Sequence, residues 1–467
     1  MDYYSPFNKA LCDLQTADLS ALKQTSEGWY VEYKRQMPKA VAVAKSLSAF
    51  ANTYGGWLFV GVEETSKENP VAGAFPGVPK EDIDAALQLM RKSAADLLNP
   101  SPHFDTKILL GPDSELGLLE NRAIVCAWVP KSTNTPHVHK SGMIYRRVSD
   151  SSEPTPENDR FVLDQLWRRA DDVKRRSKEW YDRDPEFSQQ EKLQPYARIM
   201  LVADKRAERD IWITAEDDAI RSVFGLNGMV SRMPFDTIYT SSEGLVARQL
   251  SSNDPSRLGL TWRMSRNLTS DVIVPLQFYQ PDLPTGLVTD LEGYDNVDQF
   301  IKVLDKYNIS TIRVVNLNYL FPILTGVAEI QQRLCALAGW SEEYHVKVKV
   351  LNAWRTIPFV DSSLVLEEYE KYGLPMCLDS VSSTPYGTGP DAFLAVPTYR
   401  ETQDVHARAY LQAAAMFVPA AYAFGVLPCG SLDEKSTDVT YYEALENAGR
   451  RAVGIVQDLR IERLKTN

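Results

Sequence analysis

The spacing of apolar residues divides the first third of the chain into short strands and helices. Residues 29 to 35, WYVEYKR, place Trp29, Val31 and Tyr33 on one face of a predicted strand. Residues 39 to 53, KAVAVAKSLSAFANT, repeat apolar positions with helical spacing, and WLFVGV, residues 57 to 62, is typical of a strand covered on both faces. Further strands are predicted at 106 to 110, 122 to 129 and 143 to 148, and helices at 7 to 24 and 80 to 99. The pattern predicts an α/β domain that ends near residue 150.

The rest of the chain predicts a linker and a second domain. Residues 149 to 160 are rich in Ser, Pro and acids and predict a loop, and residues 160 to 180 predict a charged helix. We interpret that helix as a solvated linker, with contact to phosphate as the alternative. Beyond it we predict strands at 197 to 204, 271 to 278, 346 to 353 and 392 to 398, and helices at 295 to 307, 326 to 338, 404 to 425 and 440 to 465.

These elements define the fold class and the domain boundaries that we predict. The fold is α/β, with a mixed sheet of the α+β kind in the N-terminal module, followed by a linker helix and a second α/β domain. The predicted boundaries are 1 to 152, 153 to 194 and 195 to 467. The last domain carries no motif that assigns its role, and sensing, partner binding and oligomerisation all stay open.

Composition is that of a globular protein. Of the 467 residues 44% are hydrophobic and 24% are charged, and no run of uncharged apolar residues is long enough to span a bilayer. The most apolar stretch, residues 409 to 426, contains Gln412 and Pro419 and predicts a buried, kinked helix. The first residues lack a basic start and an apolar core, so we expect no secretory signal, no membrane association and a cytoplasmic location.

Charge and cysteine content limit the classes of partner and cofactor. The net charge is −11, but most of the surplus lies after residue 210, where 31 acidic residues face 22 basic ones. A basic groove for nucleic acid therefore remains allowed in the first part of the chain. The five cysteines are far apart and predict free thiols, and His137 and His139 indicate an exposed pair rather than a metal site. No phosphate-binding glycine loop with lysine is present.

Carboxylates near the first predicted strand are the best candidates for chemistry. Glu27 lies five residues before Glu32, Lys34 follows two residues later on the same strand face, and Glu63 and Glu64 end the next strand. If the two strands are neighbours, these groups converge, and oxygen ligands of this kind hold Mg²⁺ or Mn²⁺. Lys34 would then stabilise developing negative charge. The alternative is a surface ion pair, which spacing alone favours.

Three segments resemble the Schlafen AlbA-type domain. They are EGWYVEYKR (27 to 35), LSAFANTYGGWLFVGVEE (47 to 64) and GMIYRRVSDSSEPT (142 to 155), within a resemblance that covers about residues 20 to 152. In vertebrate Schlafen proteins this module resembles a metal-dependent ribonuclease that acts on tRNA and rRNA. The resemblance implies Glu27, Glu32 and Glu64 as metal ligands and catalytic residues, with Lys34 assisting. The family usually has Asp at the position of Glu64, so an altered metal geometry, or Glu63 in place of Glu64, is the alternative. A Schlafen core also joins two modules with a zinc site between them, and since this chain shows one module and no zinc signature, a paired arrangement requires a homodimer.

The same module predicts a nucleic-acid-binding surface. Lys34, Arg35, Asn52, Tyr145, Arg146 and Arg147 are the candidate contacts to phosphates and bases. Buttressing of the glycine turn is the alternative for Asn52, and packing against the helix layer is the alternative for Tyr145.

Three hypotheses for function follow. The first is a metal-dependent endonuclease on structured RNA such as tRNA, with a role in antiphage defence. The second is a DNA- or RNA-binding regulator without catalysis. The third is a module that serves only as a scaffold for the acidic C-terminal domain.

Overall fold

A computed structural model of the chain describes residues 4–7, 9, 11–148, 151–204, 211–225, 233, 235–250, 257–309, 311–426 and 443–455. The chain folds into two compact units, with the first running to Trp180 and the second beginning at Tyr181. Both units combine helices with mostly antiparallel sheets, which confirms the predicted mixed α and β fold class. The predicted boundaries at residues 152 and 194 stay predictions.

The first unit opens with two 3₁₀-helices, Leu11–Asp13 and Thr16–Gln24, within the segment predicted as a helix. Its strands and helices follow in this order: β1 Val31–Lys34, α1 Ala40–Asn52, β2 Gly56–Val60, β3 Glu63–Glu64, β4 Ala72–Ala74, β5 Val78–Pro79, α2 Ile83–Leu97, β6 Leu98–Asn99, β7 Asp105–Leu110, β8 Arg122–Val129, β9 Val138–His139, β10 Tyr145–Val148, β11 Ser151–Pro156 and α3 Arg160–Asp182.

A five-stranded sheet with apolar layers on both faces forms the centre of the first unit. β1 and β2 are parallel neighbours, as the short β-α-β connection predicts, and β8 pairs antiparallel with β2, β5 and β7. Side chains alternate along β2, so Trp57 and Phe59 face the 3₁₀-helix layer, whereas Leu58 and Val60 pack with α1 and α2. Burial on both faces explains why β2 reads as a continuous apolar run.

The predicted loop at residues 149 to 160 is wrong in part. β11 pairs antiparallel with β10, and Tyr145 is opposite Pro156 in the register. Proline and serine disfavour a central strand, but β11 is an edge strand in a two-stranded sheet, where a missing N–H donor is tolerated. The charged helix is confirmed as α3, and Leu166 is its only buried residue among the side chains that the structure describes.

The second unit contains most of the remaining predicted elements. Its strands and helices are β12 Tyr196–Val202, α4 Asp217–Phe224, β13 Thr237–Ser241, β14 Gly244–Arg248, β15 Thr261–Met264, β16 Ser270–Pro275, β17 Gln277–Tyr279, α5 Leu287–Asp290, α6 Val297–Lys306, β18 Val314–Asn316, α7 Leu320–Leu337, β19 Tyr344–Leu351, β20 Ile357–Phe359, α8 Ser363–Tyr372, β21 Val381–Thr384, β22 Leu394–Val396 and α9 Val405–Ala423.

Two sheets organise this unit. The larger is antiparallel, in the order β13-β14-β15-β16-β12-β19-β21 with β22 also paired to β19, and the smaller is β17-β18-β20. The predicted strand 271 to 278 is divided between β16 and β17, and α7 begins six residues before the predicted start at 326. Of the predicted helix 440 to 465, residues 443–455 are helical and the others lie outside the described residues.

The apolar segment at residues 409 to 426 is largely helix α9. Pro419 lies inside it and is buried, together with Gln412, which confirms the prediction of a buried helix. The predicted kink stays a prediction. None of the described helices is long and apolar enough to cross a membrane.

Candidate functional site

A buried ion network connects β1, α1 and β10 in the first unit. The Arg147 Nη1 lies 3.1 Å from Glu32 Oε2, and the Lys34 Nζ lies 2.9 Å from Glu32 Oε1. The Ser46 hydroxyl donates a third contact, 2.9 Å to Glu32 Oε1. Only 1% of the Glu32 side chain and 0% of the Arg147 side chain are exposed. We call these four residues the Glu32 network.

Strand register places the network against α1. Glu32 pairs with Leu58 across the parallel β1–β2 ladder, and Leu58 packs on the α1 side of the sheet. Since paired residues on neighbouring strands point to the same face, Glu32 also faces α1, where Ser46 meets it. Strand alternation predicts Glu32 and Lys34 on one face, and the ion pair between them confirms that geometry.

Arg147 is held from several sides. Its Nε donates to the carbonyl of Gly28 at 2.9 Å, and its Nη2 donates to the carbonyls of Gly28 and Val31. The guanidinium also lies 4.9 Å from the centre of the Phe50 ring. The planar guanidinium carries five N–H donors in a fixed fork and therefore satisfies the carboxylate and both carbonyls at once. Arg147 therefore fastens β10 to the segment that leads into β1.

Glu27 lies beside this network with a strongly perturbed carboxyl. It accepts a hydrogen bond from the Tyr33 amide. Burial raises the pKa of Glu27 from 4.5 to about 7, and the hydrogen bond from Tyr33 and the charge of Lys34 oppose that rise only in part. Glu32 and Glu64 raise the same pKa through their negative charges. The four predicted catalytic residues therefore interact electrostatically, as the sequence suggested.

Lys34 remains charged in this setting. Burial lowers the pKa of the Lys34 ammonium, but the adjacent Glu32 carboxylate more than compensates, and the net direction is upward.

The described residues do not fit a divalent cation in this arrangement. No group of three or more His, Cys, Asp or Glu among them is placed to hold a metal ion. Both oxygens of Glu32 already contact cations or the Ser46 hydroxyl. A carboxylate compensated in this way offers little free negative charge to Mg²⁺, which needs several oxygen ligands in near-octahedral geometry.

The predicted nucleic-acid contacts fall into two groups. Asn52, Tyr145 and Arg147 are buried, which removes them from any surface that a nucleic acid could touch in this structure. Arg35 is 63% exposed and pairs with Glu63 at 3.0 Å. Lys34 is partly exposed, and Arg146 is bound to Glu157 at 2.6 Å.

Asn52 has a structural role, but its side-chain hydrogen bonds go to His137 and Tyr145 rather than to the glycine turn that the sequence suggested. Its Nδ2 donates to the carbonyls of His137 at 3.1 Å and Tyr145 at 3.0 Å. Its Oδ1 accepts from the His137 amide at 2.8 Å. One buried side chain thus joins the C-terminal end of α1 to the β9 and β10 region, and all of its hydrogen-bonding groups are used.

The expectation of an exposed histidine pair is wrong. His137 and His139 are both buried, and burial lowers the pKa of His137 to about 4. The His137 Nδ1 lies 2.7 Å from the Pro100 carbonyl, and the His139 Nδ1 lies 2.8 Å from the Ser141 hydroxyl. The Nδ1 atoms of the two rings therefore contact different neighbours.

Sequence reasoning missed an aromatic cluster beside the network. Trp29 and Tyr30 precede β1, and the Tyr54 ring lies 5.4 Å from Trp29 and 6.1 Å from Tyr30, between ring centres. The sequence does show adjacent aromatic residues at 29 and 30 and a third, Tyr54, before two glycines. The period-two pattern assigned Trp29 to a strand face, so these residues were not predicted to meet.

Comparison with known proteins identifies one segment of the chain. No curated protein matches the chain. Among solved structures, the DIP2311 protein from Corynebacterium diphtheriae matches with 16% identity over 45% of this chain and 33% of that chain, with a TM-score of 0.20. The chain thus spans about a third of that protein's length. Residues 27–156 match the family model described as Schlafen, AlbA_2, which confirms the resemblance seen in the sequence, and we refer to these residues as the Schlafen AlbA_2 segment.

Proposed function

We propose that the protein binds nucleic acid through its Schlafen AlbA_2 segment and that the Glu32 network holds this binding module together rather than catalysing cleavage. The compensated state of Glu32 is the observation that carries the proposal. Arg147, Lys34 and Ser46 contact both carboxylate oxygens, and the carboxylate is 1% exposed. A group that must bind metal or attack a substrate needs a free oxygen at an accessible surface.

The charge balance of the site supports the same proposal. Arg147 and Lys34 carry two positive charges against Glu32 and Glu64, while Glu27, whose pKa is about 7, loses part of its negative charge near neutral pH. The site is therefore close to neutral and does not repel phosphate strongly. Lys131, exposed beside the Tyr54 ring, supplies positive charge for a polyanion, whereas the charge of the exposed Arg35 is balanced by Glu63.

Metal-dependent cleavage is the second candidate, and one observation favours it. Burial raises the pKa of Glu27 to about 7, and the negative charges of Glu32 and Glu64 add smaller contributions in the same direction. Strong perturbation of an ionisable group is common at catalytic sites, although structural ion networks produce it as well. A role in antiphage defence and an arrangement as a homo-oligomer stay predictions.

One experiment separates the two candidates. Labelled tRNA, single-stranded DNA and duplex DNA are incubated with the protein in EDTA, Mg²⁺ or Mn²⁺, and both binding and cleavage are followed. We expect retention in EDTA that weakens as salt rises, with no cleavage in any metal. Cleavage that requires metal and disappears in Glu64→Gln would overturn the binding-only proposal. Absence of salt-dependent binding to all three would favour a scaffold.

Glu64→Gln is the better variant for this purpose. Glu64 is partly exposed in β3, so the amide replaces the carboxylate without leaving a buried charge unpaired. Glu32→Ala, by contrast, would remove the centre of a buried network, and lost activity could then reflect lost folding.

A further inference from the structure

Four aromatic rings form a continuous row on the first unit. Tyr4 stacks on Tyr30, with ring centres 4.6 Å apart and planes 20° apart. Tyr30 contacts Tyr54, and Tyr54 contacts Trp29. Tyr4 is 37% exposed and Tyr54 is 49% exposed, while Trp29 and Tyr30 are half-buried. We call these four residues the aromatic row.

A tight glycine turn fixes the position of Tyr54 in the row. Gly55 has a φ of +79°, and a Cβ there would lie 2.8 Å from both the Val129 carbonyl oxygen and the Lys131 amide nitrogen. Only glycine allows this approach between the turn and the end of β8. The Trp57 amide also donates to the Tyr30 carbonyl at 2.7 Å. The turn therefore places Tyr54 beside residues 29 and 30 with little conformational freedom.

Positive side chains border the row. The Lys131 Nζ lies 5.8 Å from the centre of the Tyr54 ring. Arg169 interacts electrostatically with Tyr54 and with Arg146, and its Nη1 donates to the Ser132 carbonyl at 3.2 Å. The carboxylate of Glu157 balances the positive charge of Arg146. The border of Tyr54 thus combines a ring face with cations, which suits a ligand that has flat apolar groups joined by negative charges.

We propose that the aromatic row stacks unpaired bases of a single-stranded nucleic acid while Lys131 and Arg169 contact its phosphates. This inference rests on the proposed nucleic-acid-binding function and specifies the form of the ligand. In a duplex the faces of the bases are covered by their neighbours, whereas a single strand offers them to exposed rings. A protein partner could also pack against the rings, but it fits the cations less well than a nucleic acid, because a phosphate backbone brings one negative charge with each base.

Binding of labelled oligouridylate, oligothymidylate and a blunt DNA duplex tests the proposal by fluorescence anisotropy on the full chain. We expect Tyr54→Ala and Trp29→Ala each to weaken binding of the single strands by about 5-fold or more, and to change duplex binding little. Tyr54→Phe retains the ring and should bind like the unchanged protein. Lys131→Gln should reduce the slope of log affinity against log salt by about 0.7. Tyr386→Ala, at a 96% exposed tyrosine of the second unit, is the matched control.

The outcomes distinguish this inference from the function on which it rests. If single strands bind and neither Tyr54→Ala nor Lys131→Gln changes that binding, the aromatic row is not the site, although nucleic-acid binding stands. If duplex and single strands weaken equally, stacking of unpaired bases is refuted. If no nucleic acid binds the unchanged protein, both proposals fail, and a protein partner becomes the occupant to seek. The ribose and deoxyribose strands separate an RNA ligand from a DNA ligand. Circular dichroism shows whether Tyr54→Ala is folded. If Tyr54→Ala is not folded, Lys131→Gln still tests the proposal, because Lys131 is exposed.

Discussion

Replacement of Arg147 by methionine should loosen the first unit selectively. The change removes a guanidinium that is 0% exposed and that donates to Glu32, Gly28 and Val31. Removal of one partner from a buried ion pair costs about 3 to 5 kcal/mol. We expect about 3 kcal/mol, the lower end of that range, because Lys34 and Ser46 still contact the carboxylate after the change.

Hydrogen exchange measured by mass spectrometry is the suitable assay. The chain has two compact units, so a single unfolding transition cannot be assumed, whereas exchange reports opening of each segment separately. A loss of about 3 kcal/mol should accelerate exchange of protected amides in β1 and α1 by about 150-fold. Amides of β12 and β19, in the second unit, should exchange at unchanged rates.

Two further variants make the prediction sharper. Arg35→Met removes a cation whose ion pair with Glu63 is exposed, and it should cost less than about 1 kcal/mol. The double variant Glu32→Gln with Arg147→Met should cost less than the sum of the single changes, because the buried carboxylate and guanidinium are removed together and Lys34, which loses the carboxylate, is partly exposed. An exchange increase of less than about 5-fold for Arg147→Met would refute our account of the network.

Three other changes test separate parts of the structure. Glu27→Gln should raise the stability of the first unit at pH 8 by up to about 3 kcal/mol, less solvent screening, and should change it little below pH 4.5. The reason is that the pKa of about 7 makes ionisation of Glu27 between pH 4.5 and 7 destabilising for the folded state. Parallel curves of stability against pH for the two proteins over that window would contradict this. Lys347 is buried and donates to the Ala392 carbonyl at 3.3 Å, and burial lowers its pKa to about 8. The stability of the second unit should therefore rise between pH 8 and 10, and Lys347→Met should lack that rise in thermal unfolding. Asn52→Ala should cost about 2 to 4 kcal/mol in exchange measurements, because two buried carbonyls and one amide lose their partner, and equal protection in both proteins would exclude this role.

The pattern of apolar residues predicted the core elements of the first unit well. α1 and β2 are found within a residue or two of their predicted bounds, since both bury nearly continuous apolar surface. β11 was missed because its residues carry no apolar period, and its pairing depends on the neighbouring β10. Strands of this kind are specified by tertiary contacts rather than by local preference.

The site was predictable only where its contacts are local. The pair between Glu32 and Lys34 follows from strand alternation, because the two residues are two positions apart. The contact between Glu32 and Arg147 spans 115 residues of sequence, and no periodicity reveals it. Arg147 was therefore predicted to lie on a binding surface, whereas in the structure it is buried in the Glu32 network.

The position of Arg147 also decides how the carboxylates should be interpreted. A carboxylate set apart for a divalent cation normally keeps uncompensated negative charge, because the cation supplies the compensation when it binds. Glu32 instead has an internal guanidinium and an ammonium within 3.1 Å. For a metal to take their place, Arg147 would have to leave a site where it also satisfies the carbonyls of Gly28 and Val31, and those buried acceptors would lose a donor. The network is thus more consistent with a fixed structural connection than with a site that exchanges ions, and the nucleic-acid contact that we propose is assigned to exposed cations and the aromatic row.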